Sequence, residues 1–301
     1  MFRVCLRALI FLIFLVPMAR AGTIALLLSQ EGGPYAEFAS AFQRGLEGSS
    51  WNVIASGTQA NLDPAPLRAD LVVTAGANAL RQTLARNGTT PVLATLLPRQ
   101  AYEKILAEAG RPRPRVSAIY LDQPPGRQLA FLRQLLPEHK RVGMLLSSET
   151  RPLYAQYRQV FSSAKFTMSS EEMDSDSQTV ATLGNLLPRI DVLLAIPDST
   201  IYKRDNIRPI LVTSYRYQRP VVAFSATLVS AGALAALYST PTQIASQAAD
   251  IIKLAGSNLP APQGPEMFAI SINRNVADAL NLSVPDEAHI RRGMLAERES
   301  R

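Results

Sequence analysis

The feature that most constrains this chain is a restart. "TIALLLS" (23–29) reads as a strand, Gly32-Gly33 as a turn, and Pro34 opens a helix to about Leu46, as proline does in a first helical turn. Strands follow at "WNVIAS" (51–56), "DLVVTA" (70–75), "PVLAT" (91–95) and "VSAIYL" (116–121), with helical patterns behind the third and fourth. Then the design begins again. "RVGMLLS" (141–147), "AKFTM" (164–168), "DVLLAIP" (191–197) and "PVVAF" (220–224) come in the same order, with helices at about 152–162, 177–187 and 201–217. Strands apolar on both faces and alternating with helices predict parallel sheets covered on two sides. Two such series predict an α/β protein of two similar lobes, each with a parallel sheet. The turns after the strand C-termini then form facing crevices, where ligands collect.

The first 21 residues stand apart from this pattern. Arg3 and Arg7 form a positive segment, "ALIFLIFLVPM" an apolar one, and "ARA" (19–21) ends in small residues, the pattern of a cleavable secretory signal. The apolar run is short of the roughly 20 residues a membrane-spanning helix needs. Cleavage near Ala21 predicts a periplasmic or secreted protein. The single cysteine, Cys5, leaves with the leader, so the mature chain has neither disulfide nor thiol chemistry. Arg3, Arg7 and Arg20 leave too and no acid does, which takes the net charge from +7 to +4. The densest basic patch, "RPRPR" (111–115), interleaves proline and has no stacking aromatics. It reads as a solvated loop, and no nucleic-acid partner is expected.

An enzyme needs a positioned acid, base, nucleophile or metal. The mature chain has two histidines, His139 in the polar loop "LPEHKR" and His289 near the C-terminus, both expected at the surface. There is no G-x-S-x-G, H-E-x-x-H or Walker motif, and neither "SQEGGPY" nor "TAGANAL" meets G-x-G-x-x-G. No catalytic residue, metal site or cofactor is therefore assigned. The crevice turns are small and polar, as suits a binding pocket. The candidate ligand contacts are Ser29, Gln30, Tyr35, Ala75, Gly76, Ala77, Asn78 and Thr95 from the first lobe, and Ser147, Ser148, Glu149, Asp198, Ser199, Tyr202 and Ser225 from the second. The N–H groups that open the helix after Gly76 suit a ligand carboxylate, with Asp198 or Glu149 opposite for an ammonium. Asp198 and Ser199 fit a second role, capping the helix behind them, and Tyr202 fits a core position equally well.

Several segments together resemble the ABC-transporter substrate-binding proteins of the tryptophan/tyrosine-type family, which have the type 1 periplasmic binding protein fold. They are "DLVVTAGANAL", "QLAFLRQLLPEHKRVGMLLSSE", "DVLLAIPDS", "RPVVAFSATLVSAGALAALYS" and "FAISINRNVADALNLSVP", in that order over about 23–285. The resemblance implies two Rossmann-like lobes joined by three crossover segments, near 117–122, 237–242 and 268–272. Lobe I would hold 22–117 plus about 241–268, and lobe II 118–240 plus about 269–285, leaving 286–301 as a charged, disordered tail. It also implies a small-molecule ligand, such as an amino acid or related metabolite, and an ABC permease as partner. The alternative is a periplasmic sensor or adaptor that signals through a membrane partner; an enzyme on the same scaffold is a third reading. The sequence departs from the family at "LLPRQ", where Arg99 stands in place of an acidic "DP", and at Ala77-Asn78. Both lie where a ligand would be read.

Overall fold

A computed structural model describes residues 21–61, 68–86, 88–110, 114–175 and 178–299. Residues 1–20, on which the expected leader falls, and positions 111–113 of the basic segment lie outside the described residues. Lobe I carries five parallel strands, β1 (Gly22–Leu28), β2 (Trp51–Thr58), β3 (Leu71–Ala75), β4 (Val92–Leu97) and β5 (Val116–Tyr120), in the order β2-β1-β3-β4-β5. Helices α1 (Gly33–Leu46), α2 (Ala77–Leu84) and α3 (Arg99–Glu108) connect them. The inner strands read as unbroken apolar runs because both faces are covered. Ile24, Leu26 and Val73 pack with Phe38 and Phe42 of α1, while Ala25, Leu27 and Val72 pack with Leu80 of α2 and Ile105 of α3.

The chain then crosses over to α4 (Pro125–Leu135) and builds the second lobe the same way. Its strands are β6 (Arg141–Leu146), β7 (Thr167–Glu172), β8 (Val192–Leu194), β9 (Val221–Ala223), β10 (Ala235–Tyr238) and β11 (Ala269–Ile272), in the order β11-β10-β9-β8-β6-β7. Up to β10 this repeats the order of lobe I. β11 pairs antiparallel with β10, so lobe II is parallel with one antiparallel edge. Its helices are α5 (Tyr154–Ser163), α6 (Thr179–Leu186), α7 (Arg204–Arg216) and α8 (Ala226–Ser230). From β10 the chain returns to lobe I as α9 (Pro241–Ala255), which opens on a Thr240–Gln243 capping box and packs on α1. It recrosses to β11, α10 (Arg274–Ala279) and α11 (Glu287–Glu299).

Polar side chains tie the three crossings together. Gln123 Nε2 of the first donates to Ser239 Oγ of the second at 2.8 Å, and Ser239 Oγ donates to the Met267 carbonyl of the third at 2.6 Å. Arg127 Nη1 donates to both Gln123 Oε1 and the Pro265 carbonyl, each at 2.8 Å.

The expected tail over 286–301 is corrected by α11. Asp286 Oδ1 accepts the His289 N–H, Ile290 is fully buried and Met294 nearly so in the lobe II core, and the helix lies on α4. Arg291 and Arg127 flank the ring of Phe268 at 5.2 and 5.4 Å from its centroid, so the helix also touches the third crossing. Among its charges, the i, i+4 pair Ile290 and Met294 is enough to dock it.

Candidate functional site

At the lobe I crevice the sequence candidates form a tight turn. Gly76 has φ +93°, and a Cβ there would lie 2.5 Å from Ser29 Oγ and 2.9 Å from a Tyr35 ring carbon, so only glycine fits. The Gly76 N–H donates to the Thr95 carbonyl at 2.8 Å. Ser29 Oγ accepts the Ala79 N–H at 3.0 Å and so caps α2 from the neighbouring strand. The Ala75 carbonyl takes the Ser29 N–H. Thr95 is turned inward, its hydroxyl donating to the Thr74 carbonyl at 2.9 Å. Among the described residues no partner is found for the N–H groups of Ala77 and Asn78, and Asn78 and Gln30 are exposed beside them.

Lobe II is more heavily bonded. Asp198, only 7% exposed, accepts five hydrogen bonds from its own lobe. Oδ2 takes the Ser147 hydroxyl at 2.7 Å, the Ser147 N–H at 3.2 Å and the Thr150 hydroxyl at 2.6 Å. Oδ1 takes the Thr200 and Ile201 N–H groups at 2.9 and 3.0 Å. A role within its own lobe is the one this geometry matches, though the carboxylate organises a turn and not the helix start that was expected. The expected helix start also moves. The backbone that Asp198 holds is a turn, and α7 begins only at Arg204.

Tyr202 is half-buried and packs against the lobe II core. Its ring meets Phe224 edge-on at 5.5 Å, and burial pushes its phenol pKa up. Ser225 caps α8 by accepting the Leu228 N–H. Ser148 is exposed, its N–H bound to Asp174. Glu149 reaches across the cleft to Lys104 Nζ of α3 at 2.9 Å, and Ser199 Oγ donates to its other oxygen at 3.2 Å.

The space between the lobes lies beside the crossings. A cavity of about 240 Å³ is walled by Arg99, Gln100 and Tyr120 from lobe I, and by Leu153, Gln156 and Tyr157 from lobe II. Asp122, Gln123 and Gly264 of the crossings close it. It is near the lower end of the roughly 300–1,000 Å³ range of small-molecule pockets. Two other hollows are at least as large: about 590 Å³ against Leu27, Val72 and Val92 of lobe I, and about 270 Å³ between α4, Phe268 and α11. Neither draws walls from both lobes.

The Arg99 guanidinium is bound to Glu103 at 2.7 Å, and that hydrogen bond raises its pKa. The Arg99 backbone N–H donates to Asp122 Oδ2 at 2.7 Å. Burial pushes the Asp122 carboxyl up, against the pull of that N–H. Tyr157, buried, accepts a hydrogen bond from Gln128 Nε2 at 3.2 Å. Of the cavity residues, the sequence reading had singled out only Arg99, as a departure. None of the cavity residues lies in a crevice turn, and a glutamine or tyrosine there carries no local motif. His139 precedes β6, at the end of the sheet away from this cavity, and His289 lies on α11.

No family model matches the chain, and no curated protein matches it. Solved structures do. A ligand-free, open substrate binding protein with adhesive properties from Clostridium difficile superposes with a TM-score of 0.66 at 16% identity, over 89% of this chain and 97% of that one. A conserved domain protein from Vibrio cholerae gives 0.61 at 17% identity, over 90% and 98%. An ABC domain in complex with L-Trp from Streptococcus pneumonia gives 0.60 at 16% identity, over 90% and 97%. At these identities the likeness is one of fold: this chain has the two-lobed fold of the type 1 periplasmic binding proteins.

Proposed function

We propose that this chain is an exported solute-binding protein that holds a small molecule between its lobes and presents it to an ABC permease, without transforming it. The observation that carries the reading is the cavity walled by both lobes and by the crossings, since a solute there changes the free energy of closing the hinge. Two proteins of the same fold support it, one a substrate binding protein and one an ABC domain solved with L-Trp.

In this reading the open N–H groups of Ala77 and Asn78, with Gln30, Ser148 and Ser199, line the approach. The Lys104–Glu149 pair bridges the closed lobes. The test is a thermal-shift screen of the chain lacking residues 1–21 against amino acids, nucleosides and other small metabolites. A ligand at about 100 times its Kd adds roughly 2.7 kcal/mol to the folded state. At least one compound is expected to raise Tm. A panel in which none does would overturn the reading.

A further inference from the structure

We infer that the exposed stripe of α7 docks on an anionic phospholipid surface, through Arg204, Arg208 and Arg216 with Val212 and Tyr215 among them. The inference goes beyond the solute-binding reading and uses none of the cavity residues, so either can fail without the other.

It begins with where the charge lies. Residues 203–219, "KRDNIRPILVTSYRYQR", hold five basic side chains and one acid, Asp205. That excess of four is the whole net charge left once residues 1–21 are removed, so the rest of the chain is balanced. The helix then sorts the segment. Ile207, Ile210 and Leu211 pack on the lobe II core. Arg204, Arg208, Val212, Tyr215 and Arg216 recur at helical spacing on the other side, and all five are exposed. Val212 is 42% and Tyr215 46% exposed, so the stripe joins cations to aliphatic and aromatic surface.

The cations are also uncompensated. No ion pair to Arg204, Arg208, Arg216 or Asp205 is found among the described residues, whereas Arg99, Arg141, Arg189 and Arg274 elsewhere each hold an acid. Arginines beside a tyrosine and an aliphatic side chain on one helix face suit the boundary between lipid headgroups and acyl chains. There a guanidinium meets phosphate and a tyrosine ring sits at headgroup level. None of the three hollows described above is walled by the stripe, which offers charge and projecting side chains more than a pocket for a protein anchor. No described helix is long and apolar enough to cross a membrane, so contact with lipid through α7 is peripheral. α5, which supplies the lobe II wall of the interlobe cavity, packs on one face of that sheet and α7 on the other. Docking through α7 therefore leaves the cavity wall uncovered.

The experiment is sedimentation of the chain lacking residues 1–21 with vesicles of phosphatidylcholine alone, or with an equal share of phosphatidylglycerol, at low and high salt. Binding is expected to the anionic vesicles only, and to weaken as salt rises. Each arginine near an anionic surface contributes roughly fivefold, so Arg204→Gln, Arg208→Gln and Arg216→Gln together should weaken partitioning roughly a hundredfold. The single substitutions, roughly fivefold each, give the same reading should the triple variant be unstable. A control set with the same loss of charge takes exposed arginines of α1, α5 and α11: Arg44→Gln, Arg158→Gln and Arg292→Gln. It should stay within about threefold of wild type. Both sets should keep Tm within about 2 °C, as exposed substitutions do. The inference is overturned if neither vesicle binds, if neutral vesicles bind equally well, if the stripe variants keep their affinity, or if the control set loses as much. Binding to soluble polyglutamate without binding to anionic vesicles would assign the stripe to an acidic protein and overturn it as well.

Discussion

Asp198 and Asp122 each follow a parallel strand at the cleft end of a lobe, and they are treated in opposite ways. Asp198 is surrounded by two hydroxyls and three N–H groups of lobe II. Asp122 meets backbone alone and faces a cavity. The first carboxylate is part of the scaffold; the second is held by backbone N–H groups and lies on the wall of the interlobe cavity. Position at a strand end marks both as candidates, and only the count of donors separates them.

That contrast can be broken from either side. The largest effect is expected for Asp198→Ala, which leaves two hydroxyls and three N–H groups around an empty site. Urea denaturation should show a loss of about 3–5 kcal/mol, and a loss under about 1 kcal/mol would mean the network does not organise lobe II. Next, Gly76→Ala forces a side chain into a φ of +93° and against Ser29. It should destabilise by about 2–3 kcal/mol and show whether lobe I, which has no buried carboxylate at its turn, depends on backbone geometry instead. Ile290→Ala, in the terminal helix, should cost about 2–4 kcal/mol; a neutral result would return 286–301 to a dispensable tail. Smallest is Lys104→Ala, which removes an exposed ion pair bridging the lobes. Without ligand, small-angle scattering should show a slightly more open average shape, the difference from wild type vanishing at high salt.

Much of the fold was legible in the sequence because parallel strands buried on both faces are unbroken apolar runs, and these occur in two matching series. The antiparallel β11 was less visible, since "AISI" carries no sign of its direction. The terminal helix was hidden by charge: Ile290 and Met294 are spaced for one face, but the acids and bases around them dominate the composition. At the site, the glycine turn at Gly76 and the cap at Ser225 follow from local rules. Asp198 showed its two roles but not which one the fold uses, because Ser147 and Thr150 lie far off in sequence and meet it only once β6 and β8 pair. The cavity itself was out of reach. Arg99, Asp122, Gln156 and Tyr157 become neighbours only when two lobes and their crossings are assembled.

The central claim is that a solute binds between the lobes, beside the crossings. A crystal structure of the mature chain with the tightest compound from the screen tests it most directly. The account predicts electron density in the cavity bounded by Tyr120, Tyr157 and Gln263. Density for the compound behind the hinge, between α4 and α11, or on the helix-covered face of lobe I, would contradict it.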